Sequence, residues 1–225
     1  MSEKTSPRRR YDATLRRERA AQTRVAIVEA AAKEFLAHGY AGATIPAIAA
    51  SAGVAVETVY RSAAGKAGLL EAAVQAALAG GVKRSAVPVE ERPGIRRVIE
   101  ENDPRRQIEA YVATQPGVWS RVGPLLRVLD EAAASDSMLQ GLREQHAAQR
   151  RRGLQGFADL LLERGALRED VSAGRAADIL WALCAQANYE GLVSYLGWSD
   201  TEYTSWLSAQ LTHALLHDGG AAERE

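Results

Sequence analysis

Eight of the first 24 residues are basic (Lys4, Arg8, Arg9, Arg10, Arg16, Arg17, Arg19 and Arg24) and only three are acidic. Guanidinium groups at this density offer charge-assisted hydrogen bonds to the oxygens of a polyanion, of which the DNA backbone is the commonest. A second group follows the glycine of Gly53-Val54. On a helix that turns Val59 inward toward Ile48 and Ile27, the side chains of Val56, Glu57, Thr58, Tyr60 and Arg61 remain outside. Glu57 can accept from a cytosine amine or favour its own helix N-terminus, and Arg61 can serve a base edge or a phosphate. A third group is interior. Leu139, Leu142, His146, Gln149, Gly153 and Phe157 fall on one helical stripe, which places His146 and Gln149 where core residues belong. Inward polar groups need partners, and a small ligand or water supplies them. Tyr111, Trp119, Trp181, Cys184 and Asn188 are candidates to line the same cavity, with a satisfied core position as the competing reading.

The constellations of common enzymes are missing. The sequence has no Gly-rich phosphate loop, no Gly-x-Ser-x-Gly elbow and no Glu-x-x-His pair. His213 and His217, spaced i and i+4 near a helix end, could hold a metal but more often serve the helix C-terminus. Neither a metal nor a cofactor is expected. A single cysteine, Cys184, excludes an intramolecular disulfide and suits a reducing compartment.

The elements that must position these groups read as helices throughout. Ile27, Ala31 and Phe35 recur at i, i+4 and i+8 in a helix expected over Thr23 to His38, which Gly39 ends. Thr44 is placed to N-cap a short helix over Ile45 to Ala52 with Pro46 in its first turn, and a third short helix covers Ala55 to Ser62. Lys66 to Gly80 gives a fourth. Prolines and charges between Gly81 and Pro104 mark a connection, with a short helix near Ile95 to Glu100. Further helices are expected from Pro104, around Val118 to Leu129, from Asp136 to about Arg164, from Ser172 to about Tyr195, and from Ser199 to about His217. No segment alternates with period two, so the predicted class is all-α. The longest charge-free stretch, Phe35 to Val56, is punctuated by Gly39, Gly42, Pro46 and Gly53 and fails as a membrane span, and no apolar region follows the basic N-terminus as in a secretory signal. A cytoplasmic protein is expected.

At 225 residues, with 28 Lys+Arg against 28 Asp+Glu and 47% hydrophobic residues, the chain is globular in composition and formally neutral. The neutrality is a sum of opposites. Residues 1–66 hold 11 basic and 6 acidic side chains, while residues 67–225 hold 17 and 22. A basic arm beside a small module of short helices is a nucleic-acid signature. The predicted division is a partly disordered basic arm over 1–23, a helix-turn-helix domain over 24–70, a larger helical domain over 71–217, for which the resemblance given below implies effector binding and dimerisation, and a disordered tail over 218–225.

The run Ile27-Val28-Glu29-Ala30-Ala31 with Phe35, Gly39-Tyr40 and Thr44, then Ile48-Ala49 with Ala52-Gly53-Val54, then Thr58-Val59-Tyr60, Lys66 and Leu69-Leu70, resembles the TetR family of transcriptional regulators in order and spacing. The likeness covers about Arg24 to Leu70, with the remainder similar only in length and helical character. It implies phosphate contacts from Thr44, Tyr60 and Lys66, and Val56, Glu57, Thr58 and Arg61 at or near base edges. It further implies a homodimer through the last two long helices, a palindromic operator, and an effector pocket in the C-terminal domain, most often in a repressor released by its ligand. Ile179, Leu180, Leu183, Trp206, Leu207, Leu211 and Leu215 are the apolar residues expected to serve such a dimer. Arg8, Arg9 and Arg10 would extend the footprint into the minor groove or onto phosphates. Two departures stand out. Ser62-Ala63-Ala64 replaces the ring usual after the tyrosine, and Ala67 replaces a common acid. A rival helical-bundle enzyme or small-molecule binder leaves the Arg24 to Leu70 motif unexplained.

Overall fold

The computed structural model describes residues 7–217, with side chains from Arg16 onward. Helices account for nearly all of it, and among the described residues the only strand-like pairing is an isolated antiparallel bridge between Leu167 and Leu216. The chain forms two compact units. The first runs through Ala86 and takes in Pro124–Leu139; the second combines Val87–Gly123 with the chain from Gln140 onward. The boundary expected at residue 70 therefore falls later, and a middle segment returns to the first unit.

Helix α1 spans Pro7–Gly42 and breaks its geometry at Gly39, whose φ of 66° only glycine adopts without strain. Residues 7–23, expected as a partly disordered arm, continue this helix. The reason is local: Ala, Leu, Arg, Glu and Gln dominate the segment and are strong helix formers, and no glycine or proline interrupts it between Pro7 and Gly39. Ile27, Ala31 and Phe35 are fully buried, as their spacing requires.

Helix α2 (Ile45–Ala52) starts as expected at Thr44, whose Oγ1 accepts from the Ala47 N–H at 3.2 Å, with Pro46 in the first turn. Gly53 closes it in the left-handed conformation, φ 66°, donating to Ala49 and Ala50 carbonyls. Helix α3 (Val56–Ser62) follows, and α4 (Gly65–Ala79) completes the module. Ile48, Val59, Leu69, Leu70 and Val74 join the α1 residues in a dry core.

The second unit is built from α5 (Pro93–Glu100), α6 (Pro104–Val112), the start of α7 (Gln115–Ala133), most of α8 (Ser137–Glu163), α9 (Ala173–Leu183), α10 (Gln186–Tyr189) and α11 (Asp200–Leu215). Asp103 caps α6 by accepting from the Arg106 N–H at 3.0 Å. Helix α7 starts earlier than Val118: Gln115-Pro116-Gly117 is its first turn, where a proline lacks no needed hydrogen bond. Ser199 and Glu202 form a reciprocal capping box at the start of α11.

The helix expected over Ser172 to Tyr195 is in fact broken. Helix α9 stops at Leu183, Ala185 is extended, and after α10 the backbone winds as a π-helix over Glu190–Tyr195. Side chains stabilise the break by taking four consecutive carbonyls. Arg150 Nη2 donates to Trp181 O and Cys184 O, both at 3.0 Å, and Asn188 Nδ2 donates to Ala182 O at 2.9 Å and Leu183 O at 3.0 Å. Helix α11 ends at Leu215, and the backbone of Arg168 and His217 pairs across the bridge. His217 thus leaves the helix, and the His213/His217 pair does not share a helical face. Among the described residues no helix is long and apolar enough to cross a membrane.

Candidate functional site

The turn at Gly53 presents α3 with Val59 as its inward anchor, 1% exposed. Glu57, Tyr60 and Arg61 are exposed, Tyr60 to 60%, while Val56 and Thr58 are half-buried. A large aromatic side chain this exposed gains nothing for the monomer from hydrophobic burial and is free to meet a partner. Arg61 lies back along its own helix: Nε donates to Glu57 O and Nη2 to Thr58 Oγ1, both at 3.3 Å. These are long, exposed bonds, easily exchanged for a phosphate or a base edge.

Thr44 is exposed and its Oγ1 is engaged only as an acceptor in the cap, so the hydroxyl proton remains for a phosphate oxygen. Lys66 is arranged differently. Its ammonium donates to Ala43 O at 3.1 Å and Ala41 O at 3.5 Å and sits 4.4 Å from the Tyr40 ring centre, with Tyr40 itself stacked on Phe35. It ties α4 to the corner between α1 and α2, and one N–H remains for an outside acceptor. Arg24, counted in the sequence only as charge, donates to Ser62 O at 2.8 Å and braces the end of α3. That brace lies at Ser62-Ala63, where the ring usual after the tyrosine is missing. Arg16, Arg17 and Arg19 are exposed along α1, whereas the side chains of Arg8, Arg9 and Arg10 lie outside the described residues.

Inside the second unit, four of the seven residues expected to line a cavity gather around one cation. Trp119 is buried, Cys184 fully so, and Tyr111 and Trp181 are half-buried. Tyr111 lies tilted against Phe157, the ring centres 4.7 Å apart. Burial pushes the Cys184 thiol up to about 12 and the Tyr111 phenol far above its ordinary range, so both are neutral at physiological pH. The cation is Arg150, which sequence reasoning missed. Its guanidinium carbon lies 4.2 Å from the Trp181 ring centre and 5.7 Å from that of Trp119.

The other three candidates fare differently. His146 is half-buried one turn before Arg150. Asn188 spends its amide on the end of α9. Gln149 is exposed, and so is Gly153: the stripe steps from His146 to Arg150 and Leu154, not to Gln149 and Gly153. Counting i+4 from His146 rather than i+3 would have found the arginine. Tyr203, fully buried with its hydroxyl unbonded, was also missed, because α11 was read for a dimer seam. Leu180, Leu207, Leu211 and Leu215 are buried within this chain and cannot serve a partner, while Ile179, Leu183 and Trp206 are half-buried.

The family model of bacterial regulatory proteins of the tetR family matches residues 27–73, the segment that forms most of α1 through α4. No curated protein matches the sequence. Solved structures share the fold at low identity. NalD from Pseudomonas aeruginosa, the secondary repressor of the MexAB-OprM multidrug efflux pump, is similar at 21% identity and a TM-score of 0.65, over 87% of this chain and 97% of that one. A structure assigned to the TetR-family transcriptional regulators from Mesorhizobium loti MAFF303099 reaches 18% and 0.66 over 87% and 96%. The regulator FadR from Bacillus subtilis, solved with stearoyl-CoA, reaches 14% and 0.62 over 83% and 96%. The α1–α4 segment thus carries the motif of the tetR family of bacterial regulatory proteins, and the all-helical fold around it is shared with these solved structures.

Proposed function

We propose that the chain binds a palindromic operator as a homodimer, represses transcription there, and is released when a small-molecule effector enters its second unit. The observation that carries this reading is the exposed face of α3, where Glu57, Tyr60 and Arg61 stand clear of a core closed by Val59. In this arrangement Val56, Glu57, Thr58 and Arg61 meet base edges in the major groove, and Thr44, Tyr60 and Lys66 fix the register on phosphates. Arg8, Arg9 and Arg10 add backbone contacts. Repression and ligand control are supported by fold relatives: NalD is a repressor, and FadR was solved with stearoyl-CoA. The dimer is assigned to the last helices, through Ile179, Leu183 and Trp206 and the small exposed or half-buried residues Thr201, Thr204, Ser205 and Ser208 of α11. Two recognition helices would then lie about 34 Å apart, one turn of DNA.

Electrophoretic retardation of selected palindromic DNA, repeated over a range of salt, tests the reading. A folded dimer that retards none of the selected sequences would end it. Deleting residues 1–16 should weaken binding and lower the salt slope by about 0.9 for each phosphate that the arm no longer neutralises. An unchanged slope would remove the arm from the interface.

A further inference from the structure

From the wiring of Arg150 we infer that the effector is an organic carboxylate with a flat apolar body, its carboxylate on the unused N–H groups of Arg150 and its body against Trp119 and Trp181. The inference rests on the reading of the second unit as an effector-binding domain and adds the ligand's chemistry to it.

Arg150 is half-buried, and among the described residues it pairs with no carboxylate. Its neighbour Arg151 does, with Asp178 at 3.3 Å. The titratable groups facing Arg150 are Tyr111, Cys184 and Tyr203, all neutral in this setting, and burial pushes the arginine's own pKa down. An arginine withdrawn from water without a counter-ion is costly, and an anion offsets that cost. Only one of its nitrogens is used, Nη2, on the two carbonyls that end α9. Among the described residues Nε and Nη1 make no hydrogen bond, and neither is sealed from solvent. The two nitrogens face opposite sides of the guanidinium, so a carboxylate takes a single charge-assisted bond from Nη1, or two along an edge by sharing Nη2 with the α9 carbonyls.

The surroundings define the rest of the ligand. Two indole rings flank the guanidinium, and Tyr111 and Phe157 form a further aromatic pair in the same unit. Trp119 Nε1 and the Tyr203 hydroxyl are buried donors without a partner, a condition that native interiors rarely tolerate without a role. One cation suits a single negative charge. A phosphate dianion would call for a second basic group. Because the same guanidinium closes α9, a carboxylate that draws on it acts directly on a helix end near the segment assigned to dimerisation.

Full-length protein is titrated with benzoate and 2-naphthoate, and with the corresponding neutral amides, by tryptophan fluorescence and calorimetry. The expected result is that at least one acid binds ten times or more tighter than its amide. Arg150→Gln should abolish that preference, Arg150→Lys should keep part of it, and Arg151→Gln, one residue away, should leave it intact. Equal binding of acid and amide, binding of neither, or equal losses from Arg150→Gln and Arg151→Gln would overturn the carboxylate site. If Arg150→Gln does not fold by circular dichroism, the wild-type acid and amide pair and Arg150→Lys decide. DNA retardation on the same samples separates the two readings. Retardation without acid selectivity removes the carboxylate site alone, and acid selectivity without retardation removes the regulator reading alone.

Discussion

The helices α1–α4 keep their polar chemistry on the outside over a dry apolar core, whereas the second unit brings a cation, two phenols, a thiol and an indole N–H into its interior. Ile27, Phe35, Ile48 and Val59 are at most 1% exposed, and Tyr60 and Arg61 face outward. In the second unit Tyr203 and Cys184 are fully buried, and Arg150 stacks on Trp181. The contrast teaches what each region is shaped to meet. The difference fits the proposed roles: bases and phosphates are read by outward side chains, while a small ligand needs groups that water cannot reach freely.

The sharpest way to break this contrast is to attack the dry core. Phe35, fully buried and stacked on Tyr40 at 5.9 Å, supports the corner on which Lys66 rests. Phe35→Ala should cost about 3–5 kcal/mol of stability. Thermal unfolding checks the loss, and operator binding should fall with it. A loss below about 1 kcal/mol would mean that the module is not held by this core.

A smaller effect separates the surface from the core. Tyr60→Phe removes one exposed hydroxyl and no buried area, so melting should be unchanged. Operator affinity should fall by about 1.5–3 kcal/mol, the range of a hydrogen bond to a charged group. Retardation assays at one fixed salt concentration measure it, and an unaltered affinity would take Tyr60 off the phosphate backbone.

The two regions also differed in how much of them could be read from sequence. The α2–turn–α3 unit was legible because each step has a local cause: Thr44 caps, Pro46 starts, Gly53 turns, and Val59 anchors. The start of α1 was misjudged because its arginines were read as charge when their helix propensity governed. In the second unit the break after Leu183 was invisible. It depends on Arg150 and Asn188 reaching carbonyls that are 31 to 34 and 5 to 6 residues away, and no periodicity carries that information. That Tyr111, Trp119, Trp181 and Cys184 turn inward was legible because bulky aromatic and buried-type residues are conspicuous. Arg150 was hidden by its own type, since an arginine on a long charged helix reads as solvated.

The smallest of the expected effects tests the interior directly. The folded pKa of Cys184 is raised by burial from its usual 9.0 to about 12. Between those values the unfolded chain loses the thiol proton while the native state keeps it, so the native state binds more protons and stability falls as pH rises. The contribution is fully present below pH 9.0 and is lost progressively toward pH 12. At pH 10 the loss is on the order of 1 kcal/mol relative to neutral pH. Tyr111 and Tyr203 titrate in the same direction, so the thiol's share is isolated by difference. Cys184→Ala lowers stability at every pH through the space it leaves, yet its stability should decline less steeply than wild type between about pH 9 and pH 10.5. Chemical unfolding at three or four pH values reads both slopes. Parallel slopes would mean that the thiol titrates as freely in the native protein as in the unfolded chain, and the second unit would then be wetter than its packing indicates.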